Sequence, residues 1–394
     1  MKDSGISWIG AIPEHWEASK IGQLYDNRYV RVSDKDFEPL SVTMQGILPQ
    51  LETAAKTDDG DNRKLVRKGD FAINSRSDRR GSCGISPQDG SVSLINLILA
   101  PRTSMNADYY NWLFHTTLFA DEFYSWGHGI VADLWTTRWQ EMKNIAIPVP
   151  PLAEQEAIAA YLNEKCGEID ELIDVEQQMI SDLESYRQAI ITEAVTHGLN
   201  PNVPTKDSNI PQIPQIPKNW VTTKIKFLSN LYSGSNITTE EITDSGYPVY
   251  GGNGLRGFYD RYNKDGEYVL IGRQGALCGN INYAYGKFWA SEHAIVCHPL
   301  VEYHLIWFGE LLRSMNLNQY SVAAAQPGLS VDKIRNLYIP VPPLVEQVEI
   351  GEYIAGKCTE IDGLIKVKQE KIETLKQYRQ SLIFEAVTGK ITIA

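Results

Sequence analysis

Apolar residues recur with a period near 3.5 in two separate parts of the chain. In the first they fall at Ile169, Ile173, Ile180, Leu183, Ile190 and Ala194, and in the second at Ile361, Ile365, Ile372, Leu375, Leu382 and Ala386. Steps of 4, 7, 3, 7 and 4 trace a single seam along each helix, the pattern of a helix that packs on another helix. Pro148, Pro150 and Pro151 bar helix before Leu152, and Pro151 suits a first turn. The spacing predicts a helix from about Cys166 to Val195, roughly 45 Å long at 1.5 Å per residue.

Elsewhere the pattern is that of short strands and shorter helices. Phe71-Ala72-Ile73-Asn74 follows the turn Lys68-Gly69-Asp70, an apolar run covers 92–99, and a helix is predicted through Tyr109, Trp112, Leu113 and Phe114. In the second half, Gly251-Gly252-Asn253-Gly254 predicts a tight turn and Tyr268-Val269-Leu270-Ile271 a strand. A helix there takes in Tyr303, Ile306, Trp307, Leu311 and Leu312. Each stretch reads as a mixed α/β (α+β) domain of ordinary size.

The two halves are copies of one plan. Residues 148–196, beginning PVPPLAEQEAI, align without a gap on residues 340–388, beginning PVPPLVEQVEI, with about 28 of 49 positions identical. Ile12-Pro13-Glu14-His15-Trp16 recurs as Ile216-Pro217-Lys218-Asn219-Trp220. The predicted fold is therefore two α/β (α+β) domains in pseudo-twofold repeat, separated by two long helices that form an antiparallel coiled coil. The divisions fall at 1–147, 148–200, 201–217, 218–339 and 340–394, with the proline-rich 201–217 as a semi-rigid linker. Ile173, Ile180, Leu183 and Ile190 pair with Ile365, Ile372, Leu375 and Leu382. Lys366, Lys368 and Lys376 oppose Asp174, Glu176, Asp182 and Glu184 as flanking charges that select the partner helix.

The formal charge of −12 argues at first against a nucleic-acid partner. Its distribution removes the objection: residues 148–200 hold 11 acidic and 2 basic residues, while 201–339 hold 11 and 12. The acidity sits mostly in one helix and need not face a polyanion. Cys83, Cys166, Cys278, Cys297 and Cys358 form no CxxC pair, which disfavours a disulfide framework or zinc ribbon. No run of 18 apolar residues and no signal-peptide pattern occurs, so a cytoplasmic protein without membrane contact is expected.

Each variable domain offers an arginine-bearing loop after a strand. Gly69-Asp70-Phe71 through Arg76 aligns with Gly266-Glu267-Tyr268 through Arg273 at an offset of 197. The candidate DNA contacts are Ser75, Arg76, Arg79, Arg80 and Arg138 in the first half, and Asn253, Arg256, Arg273, Gln274 and Gln326 in the second. Arg, Gln and Asn hydrogen-bond base edges, and Arg also neutralises phosphate. Surface ion pairing is the competing role for each. The Gly251–Gly254 turn lacks the Lys-Ser/Thr of a phosphate loop. His293, Cys297 and His298 lack a fourth partner at metal-site spacing, so packing is the expected role and no metal is assigned. Cofactor and catalytic motifs of an adenine methyltransferase are missing, as are a nucleophile elbow and HExxH, so no catalytic residue is assigned.

These features resemble the specificity subunits of type I restriction–modification systems. The resemblance covers essentially the whole chain and is carried by the opening GISWIGAIPEHWE, the twice-occurring PVPPLxEQxxI, and Tyr186-Arg187-Gln188 echoed by Tyr378-Arg379-Gln380. It implies two target-recognition domains, each reading half of a bipartite site in double-stranded DNA, and a helix pair that spaces them. It further implies two modification subunits, which carry S-adenosylmethionine and methylate adenine, docked on the helices, with restriction subunits able to join. The chain itself would need no cofactor. The rival readings are a coiled-coil scaffold or adaptor protein and a stand-alone DNA modification enzyme.

Overall fold

The computed structural model describes residues 1–50, 60–129, 135–275, 277–321 and 328–393. They form two compact units, and the division cuts both long helices: Met1–Gln177 with Gln369–Ala394 make the first, Gln178–Lys368 the second. The divisions drawn from sequence ran instead at the helix starts. The helices are longer than their apolar seams predict, at Leu152–His197 and Leu344–Val387. Each begins directly after its proline pair, whose carbonyls open the first turn: Pro151 accepts from Glu154 and Gln155, and Pro343 from Gln347.

Within each unit a segment of one long helix runs antiparallel to a segment of the other. In the first, Arg379 meets Asp170 at 2.9 Å and Lys371 meets Glu176 at 2.6 Å. In the second, Arg187 meets Asp362 at 2.6 Å and the Lys368 ammonium donates to the Met179 sulfur at 3.2 Å. Arg187–Asp362 and Asp170–Arg379 are the same contact in the two copies, offset by 192. Leu162, Cys166, Ile169 and Ile173 are buried along the seam, as are Ile354, Ile361, Ile372 and Leu382, while Ile180, Leu183, Ile190, Ile365 and Leu375 are half-buried.

One expectation is corrected here. Glu176 and Lys368 do not flank the seam. They complete it, three residues beyond Ile173 and Ile365, where a heptad places its next inward position. Glu176 is 4% exposed. Arg187 and Arg379 fill the other skipped steps in the same way. Glu176 also meets Lys371, which was not among those singled out, and Lys366 and Lys376 are exposed.

The two variable segments repeat one sheet. In the first unit the order is Cys83–Ile85, Phe71–Asn74, Asn96–Pro101, Tyr25–Asn27; in the second it is Ile281–Ala284, Tyr268–Gly272, Ala294–Pro299, Ser229–Ser233. All these pairings are antiparallel, as in an α+β rather than a wound α/β sheet. Helices Ala107–Phe114 and Leu305–Ser314 follow in equivalent places. The first core is built from rings, with Phe71, Phe114 and Phe119 in sequence at 4.7 and 4.6 Å. The second mixes Trp307 and Phe308 with aliphatic residues.

The join between variable segment and helix repeats bond by bond. The backbone N–H of Asn106 donates to the Gln155 carboxamide, which donates on to the Pro150 carbonyl; His304, Gln347 and Pro342 make the same relay. Both glutamines are buried. The stretch expected as a linker is not one. Thr205–Ile210 and Ile213–Pro217 pair as a β-hairpin, and Ile210, Ile213 and Ile216 enter the core beside Trp220. Its prolines sit where a two-stranded ribbon tolerates missing donors. Burial raises the Cys166 and Cys358 thiols above their ordinary range, in keeping with packing roles.

Candidate nucleic-acid interface

In the first unit the strand Phe71–Asn74 ends in an exposed turn built by a short ladder. Ser77 N–H donates to the Trp135 carbonyl at 3.1 Å, Thr137 N–H donates to the Ser75 carbonyl at 2.9 Å, and Arg76 bridges Thr136. The ladder sets Arg76 and Arg79, on and after the strand end, near Arg138, and all three are exposed. Arg80 is held by an ion pair with Asp121 and lies over the Tyr124 ring at 5.9 Å. Ser75 is 4% exposed and donates to the Ile95 carbonyl at 2.5 Å, so it is a ladder residue that cannot reach a ligand.

The second unit makes the same ladder with different side chains. Leu329 N–H donates to the Arg273 carbonyl at 2.9 Å, and Gln274 bridges Gly328. Strand register fixes the correspondence: Cys83 and Leu97 both pair with Ile73, and Ile281 and Ile295 both pair with Ile271. The offset is therefore 198, one more than the sequence alignment gave. Arg76 corresponds to Gln274, and Ser75 to Arg273. Arg273 is half-buried, with its backbone N–H on the His293 carbonyl at 2.8 Å and its guanidinium on Ser233 at 3.1 Å. It positions the turn, and the exposed Gln274 presents it.

The Gly251–Gly254 stretch is the tip of a hairpin, Tyr247–Gly251 against Gly254–Tyr259, that lies directly on this strand end. A Cβ at Gly272 would come within 2.1 Å of the Gly252 carbonyl, and one at Gly252 within 3.0 Å of the Gln274 carbonyl. Close backbone approach, not phosphate binding, is what these glycines serve. The tip sets exposed Asn253 beside Asn280 at 3.3 Å and exposed Arg256 over Gly251, so Asn253, Arg256 and Gln274 share one edge. Gln326 lies outside the described residues. His293 and His298 do not converge on Cys297, whose fully buried thiol is raised by desolvation; His298 packs between Tyr232 and Tyr268.

Residues 217–377 match the family model described as the type I restriction modification DNA specificity domain. The EcoprrI specificity subunit of Escherichia coli is 42% identical over 139 residues, 35% of each chain. The chain thus spans about a third of that relative in the aligned part, but a more distant one matches nearly throughout. The MjaVIII specificity subunit of Methanocaldococcus jannaschii is 23% identical over 97% of this chain and 94% of its own. A chain from a study of complex assembly and conformational transition of the type I R-M system shares the fold, with TM-score 0.76 at 15% identity over 97% of this chain and 100% of its own. The HsdS subunit from Thermoanaerobacter tengcongensis follows at 0.55 and 18%, over 96% and 98%. The chain is thus similar, over residues 217–377 by family model and nearly throughout by its more distant relative, to type I restriction–modification specificity subunits, and it shares their duplicated fold.

Proposed function

We propose that each unit reads one half of a bipartite, asymmetric site in double-stranded DNA through its strand-end turn. The helix pair serves as the spacer and docks two modification subunits. On this reading the chain performs no chemistry and holds no cofactor; S-adenosylmethionine and adenine methylation belong to the partners, and restriction subunits join the same assembly. A cytoplasmic location suits that work, and among the described residues no helix is long and apolar enough to cross a membrane.

The observation that carries the reading is the duplicated turn: one backbone ladder, twice built, presents arginines in one unit and Gln274, Asn253 and Arg256 in the other. A shared frame with exchanged polar tips suits two half-sites of different sequence. The near-neutral variable segments leave much of the phosphate neutralisation to the partners. A gel shift at physiological salt tests this. The purified chain alone should bind duplex weakly and without sequence preference, and addition of the modification subunit should produce tight, specific binding. Tight specific binding by the chain alone would refute the division of labour. A complex with the modification subunit that still ignores DNA would favour the scaffold reading.

A further inference from the structure

The first unit contains a hairpin that the sequence did not single out, Leu40–Thr43 against Gly46–Pro49. Its register, Thr43 opposite Gly46, leaves a two-residue tip, Met44-Gln45. In the second unit Gly251 lies opposite Gly254 and leaves the two-residue tip Gly252-Asn253. Gly46 and Gly254 close the two tips with φ of +104° and +93°, a backbone conformation that favours glycine. Both tips rest on the same place in the sheet. A Cβ at Gly84 would lie 2.8 Å from the Gly46 Cα, and one at Gly254 would lie 2.9 Å from the Asn282 side chain. Gly84 pairs with Ala72 and Asn282 with Leu270, which are equivalent positions at the offset of 198.

The side chains at the first tip are presented outward. Met44 is 72% exposed and Gln45 is exposed. They border an open cavity of about 1100 Å³ that reaches Gly81, next to the arginine turn, and Arg379. A bulky thioether so exposed at a tip beside a carboxamide gains nothing from the fold. It fits a partner with an apolar edge and a paired donor and acceptor. Adenine offers N6 and N7 to a carboxamide, and the neighbouring thymine offers a methyl group.

Resting on the DNA-reading function proposed above, we infer that Met44-Gln45 is a reading element of the first unit, the counterpart of Gly252-Asn253, with Gln45 hydrogen-bonded to an adenine and Met44 packed on an adjacent base. Gln45 would hold one adenine position of one half-site.

The test is co-expression of the full chain with its modification subunit in a methylation-free host, followed by mapping of methylated adenines. Gln45→Ala should relax discrimination at one position of one half-site by about 5- to 150-fold, the range for a bidentate contact, and leave the other half unchanged. Gln45→Glu should turn the same position toward cytosine, which donates where adenine both donates and accepts. Equal thermal melting of both variants and wild type excludes a folding defect. A wild-type map from both variants, or an equal loss at both half-sites, overturns the inference while leaving the function standing. A wild-type chain that yields no bipartite motif overturns the function itself, and the inference with it.

Discussion

The long helices and the strand-end turns are both present twice, yet they repeat in different ways. Along the helices the bonds themselves are copied: at their starts Gln155 and Gln347 relay between the same backbone groups, and farther along Asp170–Arg379 recurs as Arg187–Asp362. At the turns only the backbone ladder is copied, and the side chains it presents are exchanged. A buried carboxamide bridging two backbone groups has no substitute of equal shape, whereas an exposed tip is free to change with its ligand. The frame is common property of the two units, and the edge is private to each.

The largest effect should come from the tryptophans that anchor the frame. Trp16 and Trp220 are equivalent and fully buried, and Trp16→Ala or Trp220→Ala should each cost about 3–5 kcal/mol by denaturant unfolding. They also offer a finer comparison. The Trp16 indole N–H donates to Glu154 at 2.8 Å, whereas that of Trp220 has no partner among the described residues. Trp16→Phe should therefore cost about 1 kcal/mol more than Trp220→Phe; equal costs would break the comparison.

Next is the seam. Lys371→Ala removes a cation from a buried carboxylate and should cost about 1–3 kcal/mol, lessened by the exposure of Lys371 itself. Lys376→Ala, on the exposed side of the same helix, should stay within about 0.5 kcal/mol.

The units should also differ in alkali. The only buried cationic residues among those described, Arg63 and Lys64, are in the first. Burial pushes the Lys64 ammonium down to about 8, below its ordinary 10.5. Between these values the unfolded chain binds more protons than the folded one, so stability should rise with pH across that window by on the order of 1 kcal/mol. In Lys64→Met the rise should flatten in a melting series from pH 7.5 to 10. The smallest effects belong to the half-exposed arginine pairs. Arg187→Ala should cost about 0.2–1 kcal/mol, and Arg379→Ala somewhat more, because Arg379 also lies over the Trp112 ring at 5.6 Å.

The duplicated plan, the helix pair and the strand Phe71–Asn74 were legible in the sequence because each leaves a periodic or repeated trace. What escaped did so for particular reasons. Glu176 and Arg187 sit where the apolar seam skips a step, and a period read only from apolar residues passes over charged residues turned inward. The stretch 201–217 that holds the hairpin is rich in proline, and composition hid the apolar Ile210, Ile213 and Ile216 that bury it. The one-residue error between Arg76 and Gln274 arose because the loop before the strand differs in length, and Gly69 and Gly266 are not equivalent. The Met44-Gln45 tip shares only a glycine with its counterpart, so its place was visible only once strand register was known. Ser75 was chosen for its residue type, and only the fold shows that its hydroxyl is spent on Ile95.

The central claim is that two units on one frame read two different half-sites. The most direct measurement is the map of methylated adenines made by the chain and its modification subunit, compared with that of a variant whose residues 17–147 come from a related subunit. The account predicts a bipartite motif with a fixed gap, in which the exchange rewrites one half and leaves the other half and the gap unchanged. An uninterrupted motif, or an exchange that alters both halves together, would contradict it.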